Sequence, residues 1–201
     1  MSDAAKYKKA LGKKVEAFLG GEFKFFASAL ELRRRDQTGT DIIRIGGKNK
    51  YSPFINVQLG FGRRFEEAKK YERLLKETHP LYHVAQESDH ILNYAPLDYA
   101  GPTRWEIDIR VENEQLPKEM ARAIEHLAFP FFEKFQTLQA AQADLELTKG
   151  SWNFSPHWKQ LFYIDVALSQ VDRFESWALE NLDEFQKKLA IEHVKLFRES
   201  A

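Results

Sequence analysis

Between residues 23 and 62 the chain alternates apolar and polar side chains, and this alternation limits the possible folds more than any other feature. A period of two is typical of strands, whose successive side chains point to opposite faces of a sheet. The stretches QTGTD and GGKNK divide the region, because glycine and asparagine tolerate the backbone angles of tight turns. Short connections of this kind predict an antiparallel meander. Its three strands are FKFFASALELRRR (residues 23–35), DIIRIGG (41–47) and YSPFINVQLGFG (51–62).

Helical spacing of apolar residues covers most of the remaining chain. The predicted helices are residues 3–19, residues 63–78, a helix from Leu116 to Phe129 that resumes after Pro130, and two helices within residues 151–197 with a break near Asp172. RWEIDIRV (104–111) alternates and predicts a late strand, whereas LYHVAQ (81–86) is compatible with a strand and the following proline-containing segment with a loop.

Together these elements predict an α+β fold, in which an antiparallel sheet of about four to five strands packs against helices. We expect an α+β domain at residues 1–140 and a C-terminal helical extension at residues 141–201, packed on the same core. The segment LAFPFFEKFQTL (127–138) continues an apolar helical stripe through Pro130, so we interpret its phenylalanines as core. With 16 phenylalanines in 201 residues, that core should be rich in phenylalanine.

Cysteine is absent from the sequence, which excludes disulfide bonds, thiolate nucleophiles and cysteine-ligated zinc. The first 21 residues contain no apolar run of signal-peptide length, and no segment reaches the roughly 20 apolar residues of a membrane span. We therefore expect a soluble cytoplasmic protein without a membrane partner.

Charge is distributed unevenly, although the net charge is zero. Residues 1–64 hold 14 lysines and arginines against 6 acidic residues, and the remainder holds 16 against 24. The two regions could neutralise each other, the basic region could bind an anion, or the acidic region could bind a basic partner.

The candidate anion-binding or partner-binding residues are five arginines of the basic region. Neighbouring strands could bring these cations to one face of the sheet, with Lys48, Lys50, Tyr51 and Phe54 beside them, as nucleic-acid binding requires. In GFGRR (60–64) two glycines precede a predicted helix and could form an anion-binding nest. A charged, solvated rim of the sheet explains the same residues without any ligand. The five arginines are Arg33, Arg35, Arg44, Arg63 and Arg64.

Catalytic and metal-binding motifs give little support for an enzyme. His79 and His83 have the i,i+4 spacing of metal ligands, and His90 lies nearby, but Pro80 disturbs a helix there and the pattern HExxH does not occur. No serine lies in a GxSxG motif. Asp98 and Glu106 form only a generic carboxylate pair. The sequence therefore predicts no catalytic residue, no metal and no cofactor.

Four segments give the chain a family resemblance: FKFFASALELRR, PFINVQLGFG, Trp105 with EIDI, and LAFPFFEKFQTL. Over about residues 10–140 their order resembles the uncharacterised bacterial domains of domain-of-unknown-function family forty-three-oh-four. The resemblance implies no settled activity and no catalytic residues, and it suggests an immunity or toxin-neutralising protein. We thus expect a non-catalytic binding protein acting on a protein partner. The alternative is nucleic-acid or anionic-ligand binding through a basic face of the N-terminal sheet.

Overall fold

The computed structural model describes residues 2–47, 53–75, 84–87, 101–147 and 157–200. The chain forms two compact units. The sheet unit comprises Met1–Asp36, Thr40–Gly62 and Ala85–Lys134, and the helical unit comprises Gln37–Gly39, Arg63–Val84 and Phe135–Ala201. This division lies near residue 134 rather than residue 140, and it assigns residues 63–84 to the helical unit as well.

The described residues form six strands and seven helices, which confirms the predicted α+β class. In chain order they are α1 (Asp3–Phe18), β1 (Lys24–Phe26), β2 (Glu31–Arg35), β3 (Gly39–Gly46), β4 (Phe54–Phe65), α2 (Glu66–Leu74), β5 (Val84–Glu87), β6 (Arg104–Asp108), α3 (Leu116–Lys134), α4 (Leu138–Leu147), α5 (His157–Ala167), α6 (Val171–Asn181) and α7 (Glu184–Ser200).

The strands form one sheet in the order β1-β2-β3-β4-β5, and β6 also pairs with β4. The pairs β1–β2, β2–β3 and β4–β6 are antiparallel. In β4–β6, Ile55 lies opposite Ile107 and Val57 lies opposite Trp105. All four of these side chains are buried, as the alternation of both segments predicts.

The predicted first strand is wrong in one respect, because residues 23–35 form a hairpin rather than a single strand. Residues 27–30 turn, and Leu30 has a φ of 55°. The amide of Ala29 donates to the carbonyl of Phe26 at 3.1 Å and closes the turn. β1 then lies antiparallel to β2, with Phe25 opposite Leu32. This hairpin adds a strand and gives six strands where four to five were predicted.

Phenylalanine fills the core of the sheet unit, as predicted. The ring centroids of Phe61 and Phe131 are 5.1 Å apart, and those of Phe23 and Phe132 are 6.1 Å apart. α3 continues through Pro130 as one helix instead of stopping and resuming there. The FPFF segment therefore supplies core residues from a single helix.

The helical unit packs its helices around the aromatic ring of Phe162. Phe174 lies 5.2 Å from that ring, His193 lies 4.9 Å away and Phe197 lies 5.9 Å away. Two helices were predicted within residues 151–197, but three are present, α5, α6 and α7, so the second break, at residues 182–183, was not predicted. The first break falls at residues 168–170, and Asp172 lies inside α6.

The helix predicted at residues 63–78 begins three residues later than expected, at Glu66, because residues 63–65 still belong to β4. The possible strand in LYHVAQ is confirmed as β5 (Val84–Glu87). The late strand is confirmed as β6, which ends at Asp108.

Candidate partner-binding surface

The pairing register brings three of the five predicted arginines to one face of the sheet unit. Arg33 and Arg35 are two residues apart on β2, so their side chains point the same way. Arg44 on β3 lies opposite Glu31, which has the same orientation. Lys24 on β1 lies opposite Arg33 and joins the group. We call Lys24, Arg33, Arg35 and Arg44 the basic face.

Arg33 is held in place by two neighbours on this face. Its Nε and Nη2 donate to Oε2 of Glu31 at 2.9 and 2.7 Å. Its guanidinium also lies 4.5 Å from the ring centre of Phe26, a geometry that favours cation–π attraction. Glu31 is buried, whereas Phe26 is 38% exposed. Arg33 therefore presents a fixed, partly exposed guanidinium stacked on an aromatic ring.

Lys24, Arg35 and Arg44 are exposed and extend the positive charge around Arg33. The buried carboxylate of Glu31 offsets the charge of Arg33, its salt-bridge partner at 2.7 Å. Because the three other cations share the face with Arg33, basic side chains outnumber acidic ones on this side of β1, β2 and β3. Such a surface attracts acidic groups and orients planar guanidiniums towards carboxylates.

Arg34 lies on the opposite face of β2 and stabilises the fold. Its Nε and Nη2 donate to Asp41 at 3.1 and 3.0 Å, and its Nη1 donates to Glu22 at 2.7 Å. Its guanidinium lies 4.9 Å from the ring centre of Phe23. Because Asp41 is buried, this pair belongs to the interior of the sheet unit.

Arg63 and Arg64 belong to the helical unit, whereas the other three candidate arginines belong to the sheet unit. Arg63 is 1% exposed, its Nη2 donates to Oγ1 of Thr38 at 2.5 Å, and its guanidinium lies 5.4 Å from the ring centre of Phe65. It is therefore an interior residue, and its assignment to a binding surface is corrected. Arg64 follows at the next position of β4, on the other face, and is partly exposed.

The predicted anion-binding nest does not form in GFGRR. Gly60 and Gly62 lie within β4, which continues to Phe65 before α2 begins. A nest needs successive backbone amides in a turn, whereas strand amides point alternately to either side. Gly60 and Gly62 are therefore strand residues and do not form a ligand-binding loop.

The helical unit contains a buried ionic cluster that the sequence did not indicate. Asp165 on α5 is fully buried, and Nη2 of Arg173 on α6 donates to both of its carboxylate oxygens at 2.6 Å. Gln142 on α4 donates to Asp165 at 2.5 Å, and Arg173 also bonds Glu146. The cluster thus joins α4, α5 and α6.

Burial raises the pKa of Asp165 to about 7, and the hydrogen bond from Gln142 opposes this effect. Burial also lowers the pKa of Arg173. The guanidinium at 2.6 Å favours the charged carboxylate, which offsets part of the cost of burial. Since its partners come from the packed helices, the cluster is structural.

The sheet unit also has a groove of about 270 Å³ beside α1, lined by Tyr7, Lys14, Arg110 and Val111 among others. Lys14 pairs with Glu112 at 3.1 Å. Arg110 pairs with Asp108 at 2.6 Å, which lowers the pKa of that carboxyl group. With both cations engaged, the groove is a weaker candidate than the basic face.

Several sequence-based candidates lie outside the described residues. These are Lys48, Lys50, Tyr51, His79, His83, His90 and Asp98. Within the part of the chain that the structure describes, no three histidine or acidic residues are arranged to hold a metal ion. Over the same residues, no helix combines the length and the apolar character that crossing a membrane would require.

The sequence did not single out Lys24, which belongs to the basic face, or Phe26, the ring on which Arg33 stacks. Its alternation predicts one strand over residues 23–35, and in one strand these two residues would lie far from Arg35. A signal was present: apolar residues occupy odd positions up to Ala29 and even positions from Leu30. Such a phase shift is typical of a bulge or a turn.

Comparison with known proteins gave no match to a family model, a curated protein or a solved structure. The resemblance to domain-of-unknown-function family forty-three-oh-four therefore stays a prediction.

Proposed function

We propose that this protein is a non-catalytic binding protein whose basic face engages an acidic surface of a protein partner. The observation that carries the proposal is the shared orientation of Arg33, Arg35 and Arg44, with Arg33 stacked on the partly exposed ring of Phe26. Arginine and aromatic residues are enriched at protein interfaces, and a preoriented guanidinium loses less entropy on binding.

The stacking of Arg33 favours a protein partner over nucleic acid. Single-stranded nucleic acid binds where bases stack on open aromatic rings along a continuous cationic groove. Here the guanidinium of Arg33 covers one side of Phe26, and Glu31 reduces the local charge. A compact surface of this kind suits a few carboxylates better than a run of phosphates.

The non-catalytic part of the proposal rests on the sequence, which lacks cysteine and a GxSxG serine. The buried Asp165–Arg173 pair is consistent with it, because that carboxylate is held by structural partners. An inhibitor or immunity-type protein that neutralises another protein by binding fits both observations. The family resemblance favours the same class of protein.

Affinity capture from the native host, with a charge-reversal variant, tests the proposal. The variant combines Arg35→Glu and Arg44→Glu, both at exposed positions of the basic face. A matched control combines Lys118→Glu and Arg122→Glu, which make the same charge change on the exposed side of α3 in the same unit. We expect wild type and control to recover one stoichiometric partner and the basic-face variant to lose it.

Purified partner then allows the affinity to be measured by calorimetry. We expect the basic-face variant to bind at least about tenfold more weakly, since a close interfacial charge pair contributes upwards of 1.5 kcal/mol in measured cases. Equal loss in both variants, or no loss in either, would refute the assignment of this face. Mobility shifts of DNA or RNA that disappear in the basic-face variant would assign the face to nucleic acid instead.

A further inference from the structure

An apolar row lies on the outer side of α7 in the helical unit. Phe185 is 73% exposed, Leu189 39% and Leu196 48%. With 3.6 residues per turn, these positions fall on one line along the helix. The opposite side of α7 carries the buried residues Ala190 and Val194. Among the described residues, α7 is therefore apolar on two sides, of which one is buried and the other is exposed.

Charged residues of alternating sign run along one flank of this apolar row. In chain order they are Lys188, Glu192, Lys195 and Glu199, and all four are exposed. Helical spacing places them within a narrow band beside the apolar row. Lys195 and Glu199 already pair with each other along the helix at 3.8 Å, which leaves Lys188 and Glu192 to consider. Arg198 lies elsewhere on the helix and bonds Asp172 and Glu175 of α6 at 2.6 and 2.7 Å.

We propose that the outer side of α7 is a homodimer interface, on which α7 of a second copy packs antiparallel. Lys188 and Glu192 lie one turn apart beside the apolar row. When a second copy of α7 runs antiparallel with Phe185 opposite Leu196, Lys188 of each copy lies beside Glu192 of the other. Self-complementarity of one surface patch is what a two-fold symmetric interface requires.

The side on which the charges lie also favours the antiparallel orientation. When two helices pack antiparallel around a two-fold axis, the same flank of each helix meets in the interface. A parallel pair would instead place the charged row beside the other flank, which carries Gln186 and His193. Antiparallel packing that sets Phe185 opposite Leu196 of the second copy brings Lys188 within one residue of Glu192 of that copy.

One helix pair is a small interface, so the dimer should be weak. Standard interfaces bury roughly 1,600 Å², and a pair of 17-residue helices buries less. We expect a dissociation constant on the order of 10 µM, and association should weaken as salt rises.

Sedimentation equilibrium of the full chain, up to about 1 mM protein, tests this interface. We expect Phe185→Glu to weaken association by at least about tenfold, because it buries a charge against the apolar Leu196 of the second copy. Leu147→Glu, at an exposed apolar position of α4, is the matched control and should dimerise like wild type. Circular dichroism would verify that both variants remain folded.

A charge exchange tests the antiparallel register separately. Lys188→Glu should weaken the dimer, and Lys188→Glu combined with Glu192→Lys should restore it. A wild type that stays monomeric at every concentration would overturn the proposal, as would a dimer that Phe185→Glu leaves intact. Failure of the double variant to recover would overturn the antiparallel pairing.

Discussion

Replacement of Arg173 by leucine should make the stability of the helical unit more strongly pH-dependent than it is in wild type. In wild type, the guanidinium of Arg173 lies 2.6 Å from both carboxylate oxygens of Asp165, and Asp165 is fully buried. Removal of one partner from a buried ion pair typically costs about 3–5 kcal/mol, because the other charge stays buried without compensation.

The sign of the pH dependence follows from the pKa of Asp165. Burial raises this pKa to about 7, while an aspartate in the unfolded chain titrates near 3.9. A group with a raised folded pKa contributes stability below its unfolded pKa, and this contribution is lost as the pH rises through the folded value. About three pKa units correspond to about 4 kcal/mol, a contribution that wild type itself loses as the pH rises through about 7. Arg173→Leu removes the cation that favours the charged carboxylate, so the pKa of Asp165 should rise further. The deficit of the variant relative to wild type should therefore be smallest near pH 4 and largest above pH 7.

Urea unfolding at pH 5 and pH 8, followed by tryptophan fluorescence, would measure this difference, since Trp158 and Trp177 lie in α5 and α6. Arg198→Leu is the matched control: its ion pairs are more exposed, and it should cost less than about 1 kcal/mol at either pH. Adding Asp165→Asn to Arg173→Leu should remove the pH dependence. A deficit of equal size at both pH values would refute the reasoning.

Three further pairs of substitutions test the packing and the turns by urea or thermal unfolding. Phe131→Ala and Phe135→Ala should each cost about 3–5 kcal/mol, because both rings are buried; effects near zero would contradict their core role. Gly39→Ala should cost about 1–3 kcal/mol, because its Cβ would lie 2.2 Å from a backbone carbonyl oxygen, whereas Gly46→Ala on the same strand meets nothing closer than 3.8 Å and should be tolerated. Leu30→Gly should be more stable than Leu30→Ala by about 1 kcal/mol, the reverse of the order in a regular strand, because residue 30 has a φ of 55°.

The elements that could be predicted from the sequence are those in which burial repeats along the chain. Ile55, Val57, Leu59 and Phe61 alternate along β4, and all are buried. The apolar stripe of α3, which includes Met120, is buried as well. Apolar residues repeat with the period of a helix or a strand when one side of that element is buried. Such segments therefore indicate both their secondary structure and the side that faces the core.

The β1–β2 turn was missed, and the break predicted near Asp172 lies slightly earlier, at residues 168–170; the two turns share one physical feature. The β1–β2 turn contains Leu30 with a φ of 55°, and the α5–α6 turn contains Ser169 with a φ of 59°. Among the described residues, these are the only non-glycine residues with positive φ. Glycine usually marks such positions in a sequence, so a leucine and a serine give no comparable signal. At Ser169 the turn is fixed by hydrogen bonds, including one from the amide of Gln170 to the carbonyl of Asp165 at 2.7 Å.

The candidate arginines show why a cluster of like residues in a sequence cannot by itself define a surface. Arg33, Arg34 and Arg35 are consecutive and chemically identical, yet the middle one turns to the other face and bonds the buried Asp41. A shift of one residue in the β2–β3 register would exchange these roles, because strand faces alternate at every residue. Arg63 falls on the buried side of β4 for the same reason, in line with Phe61 and Phe65. Whether an arginine stabilises the core or can meet a partner is therefore decided by pairing register, which depends on contacts distant in the sequence.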